Sequence, residues 1–247
     1  MSDIFRDRAD AGRQVAAMLG EYAGRADVLV LALPRGGVPV AYEVARALDV
    51  ALDVFLVRKL GVPGHEELAM GALASGGTRV LNDEVISSLR IPREAIDAAT
   101  AREQRELERR ERAYRDDLPP PTIAGRTILL VDDGVATGST VRAAIRALRR
   151  QHPARLVVAV PTAAPSICES LAQEVDQMVC VITPEPFYAV GLWYQDFSET
   201  TDAEIRDLLR RAADARAHSD ASRGATGTDA GDDTGPSRSD PPEPPSS

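Results

Sequence analysis

Two adjacent carboxylates, Asp132 and Asp133, are followed at once by Gly134-Val135-Ala136-Thr137-Gly138-Ser139-Thr140, a run of small and hydroxyl-bearing residues that enters the helical sequence VRAAIRALRR. Paired acids accept hydrogen bonds from hydroxyls or hold a hard divalent cation through oxygen. A tight loop of small residues feeding a helix lets successive backbone N–H groups converge on an anion, and the positive end of the helix dipole adds to the attraction. One short turn therefore offers a phosphate cradle beside a pair of acids, which suits a phosphate with hydroxyls one sugar away. The apolar run Ile128 to Val131 just before the acids reads as a buried parallel strand, and ligands of open α/β sheets bind at the carboxyl ends of such strands.

The run Val131 to Thr140 resembles the phosphoribosyl-pyrophosphate (PRPP) signature of type I phosphoribosyltransferases. The resemblance implies that Gly134, Ala136, Thr137, Gly138, Ser139 and Thr140 bind the 5′-phosphate and that Asp132 and Asp133 hold the ribose 2′ and 3′ hydroxyls. It also implies Mg2+ brought in with the substrate, with Asp132 and Asp133 as its contacts on the protein. The activity implied is transfer of ribose 5-phosphate from PRPP to a nucleobase-like acceptor with release of pyrophosphate, a glycosyltransferase reaction of nucleotide salvage. The alternative within the same fold is a non-catalytic PRPP-binding sensor. A nucleotide P-loop does not fit, because it needs four residues between its glycines and then Lys, whereas Gly134 and Gly138 enclose three and Ser139 follows. In hypoxanthine-guanine members an Asp stands just before the Thr-Gly pair. Ala136 at that position weighs against a 6-oxopurine acceptor and is similar to adenine-type enzymes.

A second strand-to-helix turn supplies further candidates. Strand Val28 to Leu33 ends in Pro34-Arg35-Gly36-Gly37, where two glycines permit close backbone approach and Arg35 offers a forked cation. In the resembling family this is the pyrophosphate loop. No Rossmann fingerprint is present, since the glycines are adjacent and no third follows in register. The next strand, Leu52 to Val57, ends in Arg58 and Lys59 before a Gly and Pro loop. Two readings stand: a mobile segment whose cations close over a pyrophosphate, or a basic strand end at the surface. His65-Glu66 does not complete a zinc motif, because Ala69 occupies the second His position.

Aromatics concentrate in Pro184 to Phe197, which resembles the hood of purine phosphoribosyltransferases. Phe187 and Trp193 either stack on a base or close the edge of the core.

The elements that must position these groups follow from periodicity. Helical patterns at Asp7 to Gly24, Val38 to Leu48, Arg93 to Arg115, Thr140 to Gln151, Pro165 to Glu174 and Asp202 to Ala213 alternate with strands that include Arg155 to Val160 and Gln177 to Ile182. The expected fold is α/β, a mostly parallel sheet flanked by helices, with a small hood and a disordered tail. Gly71 to Ala74 and Thr78 to Leu81 read as a hairpin or bent strand continuing that sheet. The charged stretch Arg93 to Arg115 carries a thin apolar stripe, Ile96, Ala99, Leu107 and Tyr114, and reads mainly as a solvated face. The expected domain covers residues 1–214, and the Ser, Gly, Asp and Pro-rich residues 215–247 form a disordered tail.

Composition narrows the partners. A net charge of -9 and a pI near 5.0 offer no basic field for nucleic acid or an anionic membrane. The start, MSDIFRDRADAG, is charged where a signal peptide needs an apolar core, so a cytoplasmic enzyme is expected. A homodimer is the default for a symmetric soluble enzyme. Cys168 and Cys180 are too few for a disulfide framework and are expected as core thiols.

Overall fold

The computed structural model describes residues 4–115 and 119–225. The chain opens with helix α1 (Arg8–Ala17), strand β1 (Val28–Ala32), helix α2 (Gly37–Leu48) and strand β2 (Ala51–Val54). A ribbon of β3 (Val57–Val62), β4 (His65–Ala74) and β5 (Thr78–Leu81) follows, then α3 (Asp83–Ser88) and the long α4 (Arg93–Arg115). Strand β6 (Thr127–Val131), helix α5 (Ser139–Arg149), strand β7 (Arg155–Thr162), helix α6 (Pro165–Ala172), strand β8 (Gln177–Ile182) and helix α7 (Asp202–Ala225) complete it.

Five strands form one parallel sheet in the order β2-β1-β6-β7-β8. From β1 the chain crosses to β2 on one side, and from β6 it crosses to β7 on the other. The order therefore reverses between β1 and β6, and the carboxyl ends of these two strands flank the crevice where such sheets take ligands. Both strands are buried throughout, as continuous apolar runs covered on both faces must be. Alternate residues feed two cores: Val28, Val30 and Ala32 pack with α1, α2 and α4, whereas Leu29 and Leu31 pack with the apolar face of α5. That face is Val141, Ala144, Ile145 and Leu148, as the periodicity predicts.

Several expectations change. The strand expected at Leu52 to Val57 divides into β2, in the main sheet, and the start of β3, in a separate antiparallel sheet ordered β3-β4-β5. Gly71 to Ala74 and Thr78 to Leu81 belong to this second sheet and do not extend the first. Arg58 and Lys59 accordingly sit on a paired strand, with Pro63-Gly64 as its turn. Periodicity finds short strands but cannot say which sheet they join.

The charged helix α4 is a structural element. Its four predicted apolar residues are buried, and so are Glu103 and Arg115. Arg115 Nε donates to Asp53 Oδ1 (2.8 Å) and Nη2 to the Val54 carbonyl (2.6 Å), which fastens α4 to the end of β2. The thiols expected in the core are joined instead: Cys168 on α6 and Cys180 on β8 form a disulfide. Their spacing in sequence gave no sign of it, because α6 is what folds one back over the other. Helix α7 passes the boundary expected at residue 214, and within it Arg216 donates to the Asp49 carbonyl (2.8 Å). The remainder of the expected tail, 226–247, lies outside the described residues. Among the described residues no helix is long and apolar enough to cross a membrane.

Candidate active site

Strands β1 and β6 end side by side. Ala32 is in register with Val131, and the Leu33 N–H donates to the Val131 carbonyl (2.9 Å). The turn 33–37 and the loop 132–138 therefore face each other across the switch point. Two glycines make this approach possible. A Cβ added to Gly36 would stand 1.9 Å from Asp133 Oδ2, and one added to Gly37 would stand 2.9 Å from the Val131 carbonyl oxygen. The Pro34–Arg35 peptide is cis, and Arg35 pairs with Glu199.

The loop of small residues is anchored at both ends. The buried Val135 donates its N–H to the Thr162 carbonyl (2.9 Å) at the end of β7. Gly138 takes a left-handed conformation (φ 78°) as the residue preceding α5, where no side chain caps the helix. The first amides of an uncapped helix are donors suited to a phosphate. Arg142, one turn into α5, donates from Nη1 to the Thr137 carbonyl (3.3 Å), from Nε to Glu174 (2.8 Å) and from Nη2 to Ser170 (2.6 Å). It thereby braces the loop against α6 and the residues after it.

The acid pair is largely enclosed. Asp132 Oδ1 accepts from the Asp133 N–H (2.9 Å), and burial followed by the neighbouring Asp133 charge pushes the Asp132 carboxyl well above its usual range. Burial also raises Asp133, against the opposing charge and hydrogen bond of Arg8. Arg8 Nε donates to Asp133 Oδ2 (2.9 Å), and Tyr194 Oη donates to the Asp133 carbonyl (2.6 Å). Tyr194 itself lies between Phe5 and Phe197, with ring centroids 5.4 and 5.0 Å away.

The structure thus brings Asp132, Asp133, Gly134, Ala136, Thr137, Gly138, Ser139 and Thr140 together with Arg35, Gly36 and Gly37 at one sheet edge. Arg58 is committed elsewhere: its Nε and Nη2 both donate to Glu103 Oε2 of α4, at 3.0 and 2.7 Å. Lys59 is exposed on β3. Phe187 and Trp193 are half-buried on the hood, and Trp193 Nε1 is buried with no hydrogen-bond partner. Sequence reasoning missed Arg8, Tyr194 and Glu199. Arg8 and Asp133 are 125 residues apart, so no local spacing could reveal their pairing. Tyr194 lay within the aromatic segment and was legible as such.

Comparison with known proteins agrees with this geometry. A family model described as a phosphoribosyl transferase domain matches residues 2–182. The protein named "Putative phosphoribosyl transferase Rv0571c" from Mycobacterium tuberculosis is 45% identical over 209 residues, covering 85% of this chain and 47% of that protein. The chain thus spans about half the length of that curated relative. The crystal structure of TT1426 from Thermus thermophilus is similar with a TM-score of 0.74 at 42% identity, covering 84% of this chain and 98% of that one. The bifunctional protein PyrR of Chloroflexus aurantiacus is 34% identical over 129 residues, 51% of this chain and 65% of that protein. The hood and α7 lie beyond the matched domain, whereas both glycine-bearing turns and the acid pair lie inside it. With the fold, the switch-point crevice and the family match in agreement, this chain belongs to the phosphoribosyl transferase domain family.

Proposed function

We propose that this chain transfers ribose 5-phosphate from PRPP to a nucleobase-like acceptor and releases pyrophosphate. The observation that carries the reading is the meeting of an uncapped helix start, a half-buried acid pair and a glycine turn at the sheet's switch point. In this reading the amides and hydroxyls of Ala136 to Thr140 cradle the 5′-phosphate. Asp132 and Asp133 accept hydrogen bonds from the ribose diol. Gly36 and Gly37 admit the pyrophosphate to the backbone, and Arg35 exchanges Glu199 for its oxygens. Lys59 adds a second cation from the ribbon, while Arg58 serves the fold through Glu103. Phe187 and Trp193 on the hood face the acceptor.

The reaction breaks the bond between the anomeric carbon and the pyrophosphate oxygen, which leaves with the electron pair, as the acceptor nitrogen bonds to that carbon. Charge develops on the ring and on the leaving group. Catalysis then consists of holding both partners in line and stabilising the departing anion with fixed donors. The acid pair fits Mg2+: two carboxylates meet one guanidinium, Arg8, which leaves a negative charge for a hard cation to balance. No cluster of three His, Cys, Asp or Glu that could hold a metal occurs among the described residues, so Mg2+ would take its other ligands from PRPP and water. Bound there, it would supply neutralisation of the pyrophosphate charge.

The test is pyrophosphate release from PRPP and Mg2+ over a panel of purine and pyrimidine bases, with Asp132→Asn plus Asp133→Asn as the control. Release with one base, lost in the double variant, supports the transferase and names its acceptor. PRPP binding without release from any base would favour a sensing module, and absence of PRPP binding would overturn the reading.

A further inference from the structure

One strong contact to the acid pair comes from an element that the resemblance does not assign to the site. Helix α1 lies close against α2, because Gly12 lacks the Cβ that would stand 2.6 Å from the Val40 carbonyl oxygen. That packing delivers Arg8, in the first turn of α1, to the acid pair. Its side chain is 12% exposed and makes three kinds of contact at once. Nε donates to Asp133 Oδ2, Nη1 donates to the Ser198 carbonyl (2.6 Å), and the guanidinium lies 4.0 Å from the centre of the Phe197 ring. The segment just before Arg8 is stitched to the same stretch of hood: Phe5 N–H donates to the Trp193 carbonyl (2.9 Å), and the N–H groups of Gln195 and Asp196 donate to the carbonyls of Phe5 and Arg6.

We infer that Arg8 is a positioning residue for the sugar-binding acids, holding the Asp133 carboxylate in one orientation from α1 and coupling it to the hood through Ser198 and Phe197. The inference rests on the PRPP reading above. Physically, Arg8 and the Gly36 backbone crowd Oδ2 and fix the carboxylate's rotation, so that its other oxygen is the one presented to a ligand. The groups facing Asp133 are Asp132 from its own loop, Arg8 from α1, and the Tyr194 phenol from the hood, whose own ionisation is pushed up by burial. Arg8 is the cation among them. Without it, nothing from α1 holds Oδ2, and the link from the acid loop to Ser198 and Phe197 is lost.

The experiment is calorimetric titration of PRPP with Mg2+, and separately of inorganic phosphate, into the wild type, Arg8→Gln and Arg8→Lys. Arg8→Gln is expected to weaken PRPP binding about tenfold and to leave phosphate affinity unchanged, because the phosphate loop before α5 does not use the acid pair. Arg8→Lys keeps a cation but cannot fork between Asp133 and Ser198. It should lose about threefold in PRPP affinity, again with phosphate affinity unchanged. An equal loss for PRPP and phosphate in Arg8→Gln would mean a merely structural role and overturn the inference. So would wild-type affinity in Arg8→Lys, even if Arg8→Gln fails to fold. A wild type that binds no PRPP would overturn the functional reading itself, a result distinct from these.

Discussion

The sharpest test of the site geometry is Gly36→Ala. Gly36 has φ -62° and ψ -30°, a conformation that alanine adopts freely, so backbone strain does not enter. Space does. The new methyl would stand 1.9 Å from Asp133 Oδ2, 2.6 Å from its Cγ and 3.2 Å from Arg8 Nε. Non-bonded carbon and oxygen rest near 3.4 Å, so the overlap with the carboxylate is about 1.5 Å, and a short side chain held by Arg8 cannot absorb it by turning its tip. Either Asp133 leaves its rotamer and loses Arg8, or α2 shifts. Overpacking costs about 1–3 kcal/mol and loss of a hydrogen bond to a charged group costs about 1.5–3 kcal/mol. The two overlap in one event, so a loss of about 3 kcal/mol is expected from denaturant titration, with PRPP affinity down by at least about tenfold in calorimetry. Gly20→Ala is the matched control, since nothing lies within 4 Å of its added Cβ, and it should change stability by under about 1 kcal/mol. Wild-type stability and wild-type PRPP binding in Gly36→Ala would refute the placement of Asp133 against this turn.

Other outcomes follow from the same geometry. Asp132→Asn should abolish PRPP binding yet raise stability at pH 7. Burial raises the folded-state carboxyl, so the native protein binds more protons than the unfolded chain above the ordinary value of 3.8, and stability falls as pH rises from there through the raised folded value. Asn removes that fall, and melting curves at pH 5 and pH 8 should show the variant gaining most at the higher pH. Gly138→Ala places a side chain at φ 78° and a Cβ 2.7 Å from Arg142 Nη1, so it should cost about 1–2 kcal/mol in denaturant titration and weaken binding of inorganic phosphate. Reduction of the Cys168–Cys180 bond, which closes a span of 12 residues, should cost about 3 kcal/mol, read as a lower melting temperature with reductant present. Arg58→Ala removes two donors from the buried Glu103 carboxylate, which keeps its Arg102 contact at Oε1, and should destabilise the fold by about 2 kcal/mol, with any change in PRPP affinity following that loss.

The parts legible in sequence are those whose physics is local. The run from Ile128 to Thr140 shows a buried strand, two acids and an uncapped helix start in consecutive residues, and the fold places them as that order requires. The alternation of strands and helices sufficed for a parallel sheet, because apolar periodicity reports how each element is buried. The turn at Arg35 to Gly37 was legible as a close-approach site only beside the loop at 132–140, since adjacent glycines by themselves equally mark an ordinary turn with a surface Arg.

What only the tertiary structure decided involves partners distant in sequence. Arg58 read equally as a cation for a pyrophosphate or as a basic strand end at the surface, and it pairs instead with Glu103, brought to it by packing of α4 on the ribbon. The ribbon left the main sheet because its hydrogen bonds close among β3, β4 and β5, a choice that no strand's own sequence records. Cys168 and Cys180 found each other across α6. Arg8 reached Asp133 because Gly12 lets α1 settle on α2, bringing a cation from the start of the chain to an acid in its middle. Local sequence specifies which groups a segment can offer, and long-range packing specifies which of those offers are already taken.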